Sequence, residues 1–233
     1  MNSRGKKMKN PRSLRGRGLY RLLPVLCANF LVVFIMLFLF AGCGKPPTLM
    51  QRYMLEYPSP AVSGSGKIGE VIKVELFAVA QVYNSPAMIY QPHPYKSDAY
   101  QYHRWRVNPG NMVTDYLLRD LRNSGLFKAA LPSGSSGKTR FLLEGGVEEF
   151  QETDEPDGWK AALTLNITLL DLSRQELPQR VVFQKNYRAV EPLTEQTPKG
   201  LAQGMSRAME RLSAQIIADI YQAAAKQAKT GAK

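Results

Sequence analysis

The chain has 233 residues, 44% apolar and 21% charged, a composition that suits one folded domain and excludes a disordered polyelectrolyte. Its formal charge of +12 invites a nucleic-acid reading, but eight of the 31 basic residues lie between Arg4 and Arg21, and no Asp or Glu precedes Glu56. From Cys43 onward 23 basic residues face 19 acidic ones, so the excess belongs to the amino-terminal segment and marks membrane insertion rather than a phosphate footprint.

That segment continues as an uncharged stretch from Leu22 to Gly42, with eleven consecutive apolar residues from Phe30 to Phe40. About 20 apolar residues span a bilayer, so a retained transmembrane anchor is one reading. The end of the run, Phe40-Ala41-Gly42-Cys43, supports another. Small residues ahead of a cleavage point suit a signal segment, and the cysteine behind them resembles the lipobox of bacterial lipoproteins. Ala41, Gly42 and Cys43 match that pattern, while Phe40 stands where Leu is commoner. The resemblance implies cleavage before Cys43, a diacylglyceryl group on its thiol and an acyl group on the new amine. No other cofactor is expected. Gly44 lacks the Asp that favours inner-membrane retention in Gram-negative bacteria, so the expected location is the periplasmic face of the outer membrane. Cys27 lies in the discarded run, which leaves no pair of cysteines to staple the fold. The expected layout is a signal segment over 1–42, an acylated cysteine and tether over 43–50, one domain over 51–222 and a flexible basic tail over 223–233.

Within the domain, Arg52 to Tyr57 reads as a short strand ended by Pro58 and Pro60, and Ser63 to Gly66 as a flexible loop. Val71 to Val82 is predicted as one strand, with Ile72, Val74, Leu76, Ala78 and Ala80 on one face. Met88 to Gln91 and Tyr100 to Val107 are further strand candidates, separated by a turn at Pro92 and Pro94. Asn108-Pro109 gives an N-cap and a first-turn proline for a helix to about Asn123, which buries Met112, Val113, Tyr116, Leu117 and Leu121 and stops at Gly125. Phe141 to Phe150, Trp159 to Leu170 and Val181 to Val190 alternate in hydropathy and read as an antiparallel meander, with Glu152 to Asp157 as a turn. A last helix, capped by Thr197, carries an apolar stripe of Leu201, Met205, Ala208, Leu212, Ile216 and Ile220. The fold class is therefore α/β (α+β), a mostly antiparallel sheet with helices packed on one face.

Catalytic signals are weak. Gly134 to Thr139 reads GSSGKT, but the first glycine of a phosphate-binding loop would fall at residue 132, a proline with no amide donor. His93 and His103 lack paired carboxylates for a metal. Six acids between Glu148 and Asp157 fit no calcium-loop spacing and read as a solvated rim. Tyr100, Tyr102, Arg104, Trp105 and Arg106 interleave aromatic and basic groups, yet strand alternation puts Trp105 opposite the rest, and a buried Trp105 packed near the helix at Pro109 is the preferred reading. Nucleic acid is not an expected partner.

The order of parts is more specific than any motif. Arg52-Tyr53 with Leu55, Arg104-Trp105 ahead of the Asn-Pro helix start, Leu143 and Gly145, and the amphipathic last helix together resemble the ABC-type transport auxiliary lipoproteins. That family includes outer-membrane partner lipoproteins of bacterial MCE systems. The resemblance covers about 51–222 and implies a non-enzymatic component that docks or assists a lipid-conducting MCE-domain protein at the outer membrane. It also implies a fold like the amino-terminal domain of the TolB protein. Tyr90, Tyr95 and Tyr100, aromatics set among prolines, are the expected partner surface. A lipid or small-ligand receptor and a structural envelope-assembly lipoprotein are the alternative readings.

Overall fold

Backbone pairing is organised around one long strand. The computed structural model of the chain describes residues 48–230 and Phe30. In chain order it has β1 (Gln51–Tyr53), β2 (Ile68–Val74), β3 (Ala78–Val79), a 3-10 turn (Gln81–Tyr83), β4 (Ala87–His93), β5 (Lys96–Trp105) and α1 (Pro109–Ser124). Then follow β6 (Phe127–Pro132), β7 (Phe141–Glu155), β8 (Gly158–Asp171), the short α2 (Leu177–Arg180), β9 (Val181–Pro192) and α3 (Pro198–Thr230).

β7 pairs along its full length with β8, from Phe141↔Asp171 to Glu155↔Gly158, and β8 pairs with β9. This is the expected antiparallel meander. The other edge of β7 is shared in turn by β2 at Phe141 to Leu143, β3 at Gly146 and Val147, and β4 at Glu152 and Thr153. These contacts are parallel, as are β2–β6 and β1–β5, whereas β4–β5 is antiparallel. The long ladders thus make the sheet mostly antiparallel, while its short ladders are mainly parallel. Hydropathy alternation reports which face a strand buries and carries nothing about direction.

Local chemistry sets the helix ends as expected. The Asn108 side chain accepts from the Gly110 amide at 2.9 Å, and Gly125 closes α1 at φ 65° in the left-handed region. The Gly200 amide donates to Thr197 Oγ1 at 3.0 Å at the start of α3. Every stripe residue from Leu201 to Ile220 named above is fully buried, in one core with Ala161, Leu163, Leu165, Ile167 and Leu169 of β8. Burying such side chains contributes about 1.5–3 kcal/mol each for the larger ones, so this helix-on-sheet layer dominates the packing. All buried apolar residues among those described lie between Leu55 and Ala224. The unit beginning at Leu49 therefore carries its own core.

Several expected boundaries move. The first strand ends at Tyr53, because Leu55 and Tyr57 leave the ladder to become buried anchors. The predicted strand Val71–Val82 is broken after Val74. Leu76 is 60% exposed and Phe77 turns inward instead, its amide donating to Thr114 Oγ1 at 3.0 Å. The acidic turn shrinks to Pro156 and Asp157, since β7 runs on to Glu155. The tail expected from 223 is helical as far as Thr230, with Ala224 fully buried and Arg140 Nη2 donating to the Gln227 carbonyl at 3.0 Å.

Phe77 explains Gly145. A Cβ at Gly145 would lie 2.4 Å from the Phe77 ring and 2.9 Å from the Asn166 carbonyl oxygen. Gly145→Ala is therefore expected to destabilise the protein by about 2 kcal/mol through overpacking, read as a lower urea midpoint at unchanged slope. A midpoint equal to that of the wild type would show that Phe77 can step aside freely.

Candidate functional site

Phe40, Ala41, Gly42 and Cys43 lie outside the described residues. The remaining sequence-predicted positions separate into three places.

The first is the junction of β1 and β5. Its parallel register sets Arg52 beside Arg104 and Tyr53 beside Trp105, so two motifs about fifty residues apart form one patch. The Arg106 amide donates to the Tyr53 carbonyl at 2.6 Å and the Trp105 amide to the Pro86 carbonyl at 2.7 Å. Trp105 is 1% exposed, as expected, and meets the Phe150 ring edge-on at 5.1 Å. Tyr53 Oη and His103 Nδ1 lie 3.1 Å apart. The second place is inside the sheet, where Leu143 is fully buried, Gly145 receives Phe77 and the Glu75 amide donates to the Leu143 carbonyl at 2.9 Å. Apart from Arg52, whose side chain is exposed, these motif residues pack or pair within the fold, and they present no reactive group.

The third place is the β4–β5 hairpin, which carries the expected partner residues. Tyr95 is fully exposed at its tip, with φ 66°. Tyr90 and Tyr100 are half-buried at its root, their rings 5.0 Å apart. Tyr100 Oη donates to Glu152 Oε2 at 3.0 Å. The three tyrosines are therefore one element but two environments, a free tip and a fastened root.

Glu152 was taken in sequence as part of a solvated rim, and is instead fully buried. The skipped register between Val147 and Glu149 turns it inward. Burial, the largest cause, and Asp154 raise its carboxyl while the Tyr100 hydrogen bond lowers it, and the balance is a value of about 7. Glu152 Oε1, Thr153 Oγ1 and Asp154 Oδ1 are buried without a hydrogen-bond partner. Gln196 Nε2 reaches Asp154 Oδ2 at 3.1 Å.

A second buried acid escaped the sequence reading. Asp120 on α1 is fully buried and accepts from Tyr57 Oη at 2.8 Å, Ser59 Oγ at 2.8 Å, Ser213 Oγ at 2.7 Å and Arg119 Nε at 2.8 Å. Arg119 in turn lies over the rings of Tyr57 and Tyr116, 4.4 and 4.6 Å from their centroids. Burial and Asp120 keep the Tyr57 hydroxyl protonated far above its ordinary range. The cluster clasps the segment after β1 to α1 and α3. Its sequence signal was an Asp beside the apolar stripe position Leu121.

Between that segment and α3 lies an open groove of about 730 Å3, lined by Met54 and Tyr57 together with Glu56, Lys199, Arg207 and Glu210. The space under the sheet is filled by side chains.

The Asp120 cluster and the Tyr100–Glu152 hydrogen bond tie strands and helices together, and one hairpin tip is fully exposed, which is the layout of a binding component. Residues 53–217 match the family described as the ABC-type transport auxiliary lipoprotein component, and the chain belongs to that family. It is a non-catalytic auxiliary lipoprotein of ABC/MCE-type lipid transport systems, located at the outer membrane and partnered by an MCE-domain protein. No curated protein sequence matches it. Among solved structures, protein XCC0632 from Xanthomonas campestris is similar with a TM-score of 0.70 at 17% identity, over 77% of this chain and 99% of that one. An uncharacterized protein is similar with a TM-score of 0.58 at 12% identity, over 74% and 99%. At such identities the likeness concerns the fold alone.

Glu152 makes stability pH-dependent. Its folded value lies above its ordinary one, so the neutral carboxyl stabilises the fold fully below the ordinary value. That contribution is lost as pH rises towards 7. Glu152→Gln should therefore flatten the fall in stability between about pH 5 and about pH 8, by on the order of 2 kcal/mol. Parallel denaturation profiles for the two proteins would count against a buried neutral Glu152. Asp120→Ala leaves three hydroxyls and Arg119 without their acceptor. It should lower thermal stability by about 3 kcal/mol.

Proposed function

We propose that acyl groups on Cys43 hold this protein at the inner face of the outer membrane, and that the β4–β5 hairpin docks the outer-membrane end of the MCE conduit. On this reading residues 1–42 are removed and 43–50 form the tether. The domain's likeness to the amino-terminal domain of TolB belongs to the same reading.

The observation that carries the docking role is Tyr95. A large aromatic fully exposed at a hairpin tip, in a backbone conformation that disfavours side chains, stabilises nothing within the fold. Exposed tyrosines on a stiff support are effective anchors for a protein partner, because little freedom is lost on binding. The support here is stiff because the Tyr90–Tyr100 ring pair ties the two hairpin strands together and Tyr100 fastens the root to Glu152 of β7. The receptor alternative gains less, since the groove beside α3 is open and ringed by charges.

Tyr95→Gly separates the two roles of this position. Glycine relieves the positive φ, so thermal stability should hold or rise. Capture of the MCE-domain protein from detergent-solubilised membranes should fall by about tenfold or more. Undiminished capture by Tyr95→Gly and by Tyr90→Ala would move the docking surface elsewhere. Intact mass of the purified protein checks the anchor, with diacylglyceryl and N-acyl additions on Cys43 expected and a retained leader excluding it.

A further inference from the structure

We infer that the edge formed by β1 and the end of β5 is a membrane-facing surface that seats phospholipid headgroups. This rests on the anchoring reading for Cys43.

The case begins with unanswered charge. Arg52 and Arg104 are register neighbours on parallel strands, so their side chains leave the sheet on the same side. Like charges set side by side in a ladder repel unless an anion lies between them. Arg104 donates to the Tyr100 and His103 carbonyls, which fixes its guanidinium without neutralising it. Neither Arg52 nor Arg106 makes a side-chain hydrogen bond or ion pair among the described residues. Both are exposed.

The same side carries exposed apolar groups. The ladder sets Arg52 and Arg104 on one side, and strand alternation puts Tyr102 there too, with Met50 and Arg106 one step beyond the ends of β1 and β5 in the same phase. Met50 and Tyr102 are 47% and 40% exposed. Leu49, at the start of the segment, is 82% exposed. Arginines interleaved with methionine and tyrosine suit a bilayer interface, where the apolar parts enter the headgroup boundary and the guanidinium groups hold phosphates.

Chain length selects the lipid surface as the occupant. Five residues separate Cys43 from Leu49, which makes six Cα steps. Fully extended those steps reach about 20 Å. An acylated Cys43 therefore keeps Leu49, and the strand it feeds, within that distance of the bilayer. Each arginine near an anionic leaflet strengthens the contact by about fivefold, so the pair Arg52 and Arg106 contributes more than tenfold.

The test uses the natively acylated chain in vesicles of phosphatidylethanolamine and phosphatidylglycerol. On the anchoring reading it keeps no free thiol, so Tyr102→Cys gives a single site for a nitroxide label, and Leu177→Cys, on α2, gives an exposed control. Intact mass is read first. A chain without acyl groups refutes the Cys43 reading, and the orientation falls with it. In the acylated protein, the label at 102 should be more accessible to membrane-dissolved oxygen than to a water-soluble nickel chelate. The label at 177 should show the reverse. Adding Arg52→Glu and Arg106→Glu should return the label at 102 to water. A label at 102 that is aqueous in the acylated protein overturns the inference. So does one shielded only when the MCE-domain protein is added, which would make this edge a protein interface.

Discussion

The structure depends on a long strand that must find hydrogen-bond partners along both edges. β7 runs from Phe141 to Glu155, and burial leaves its amides and carbonyls no access to solvent over much of that length. β8 satisfies one edge entirely. The other edge is served by three short strands in succession, and each hand-over requires a break in the chain. The break after Val74 turns Phe77 into the core, and the Thr114 hydroxyl takes the amide that the ladder no longer accommodates. Phe77 can enter because residue 145 has no side chain. Beyond Val147 the register shifts again, and that shift buries Phe150 and Glu152 on the side of the hairpin root.

The functional wing of the molecule follows from this arrangement. The β4–β7 ladder is short, at Glu152 and Thr153, and the Tyr100–Glu152 hydrogen bond and the Trp105–Phe150 contact add to it, while the hairpin tip extends free. β5 then carries β1 on its outer side, and β1 is the strand that the proposed tether would feed. The arginine edge and the tyrosine tip thus lie on three adjacent strands. A lipid anchor, a headgroup contact and a partner contact on one wing would fix the domain's orientation between membrane and conduit. The opposite part of the body, where α3 covers β8 and β9, supplies the mass of the core against which the wing is held. The Asp120 cluster joins the two, since Tyr57 and Ser59 come from the segment after β1, while Ser213 comes from α3.

The parts of the fold that sequence made legible are those governed by local periodicity. The meander, both long helices, their caps and the buried faces of β8 and α3 follow from spacings of two and of three to four. Such spacings survive only where one face of an element is covered along its whole length. Trp105 was placed correctly for the same reason. The errors fall where one element serves several partners. Leu76 and Phe77 exchange roles because β2 and β3 join β7 at separate points, and Glu152, which reads as part of an acidic turn, is buried because β7 runs on through it and a bulge turns it inward.

Family membership was legible too, because Arg52-Tyr53, Arg104-Trp105 and Leu143 with Gly145 keep a fixed order in the chain. Why those residues stand there is a matter of tertiary contact. Arg52 and Arg104 are neighbours only through a parallel ladder between strands some fifty residues apart, and no local pattern encodes that pairing. The sequence by itself determined the elements, their buried faces and the family. Each of these depends on residues near one another in the chain, or on their order. Tertiary structure alone decided the parallel direction of the short ladders, the burial of Asp120 and Glu152, and the meeting of charges at the β1 edge, because those depend on which distant segments share an edge.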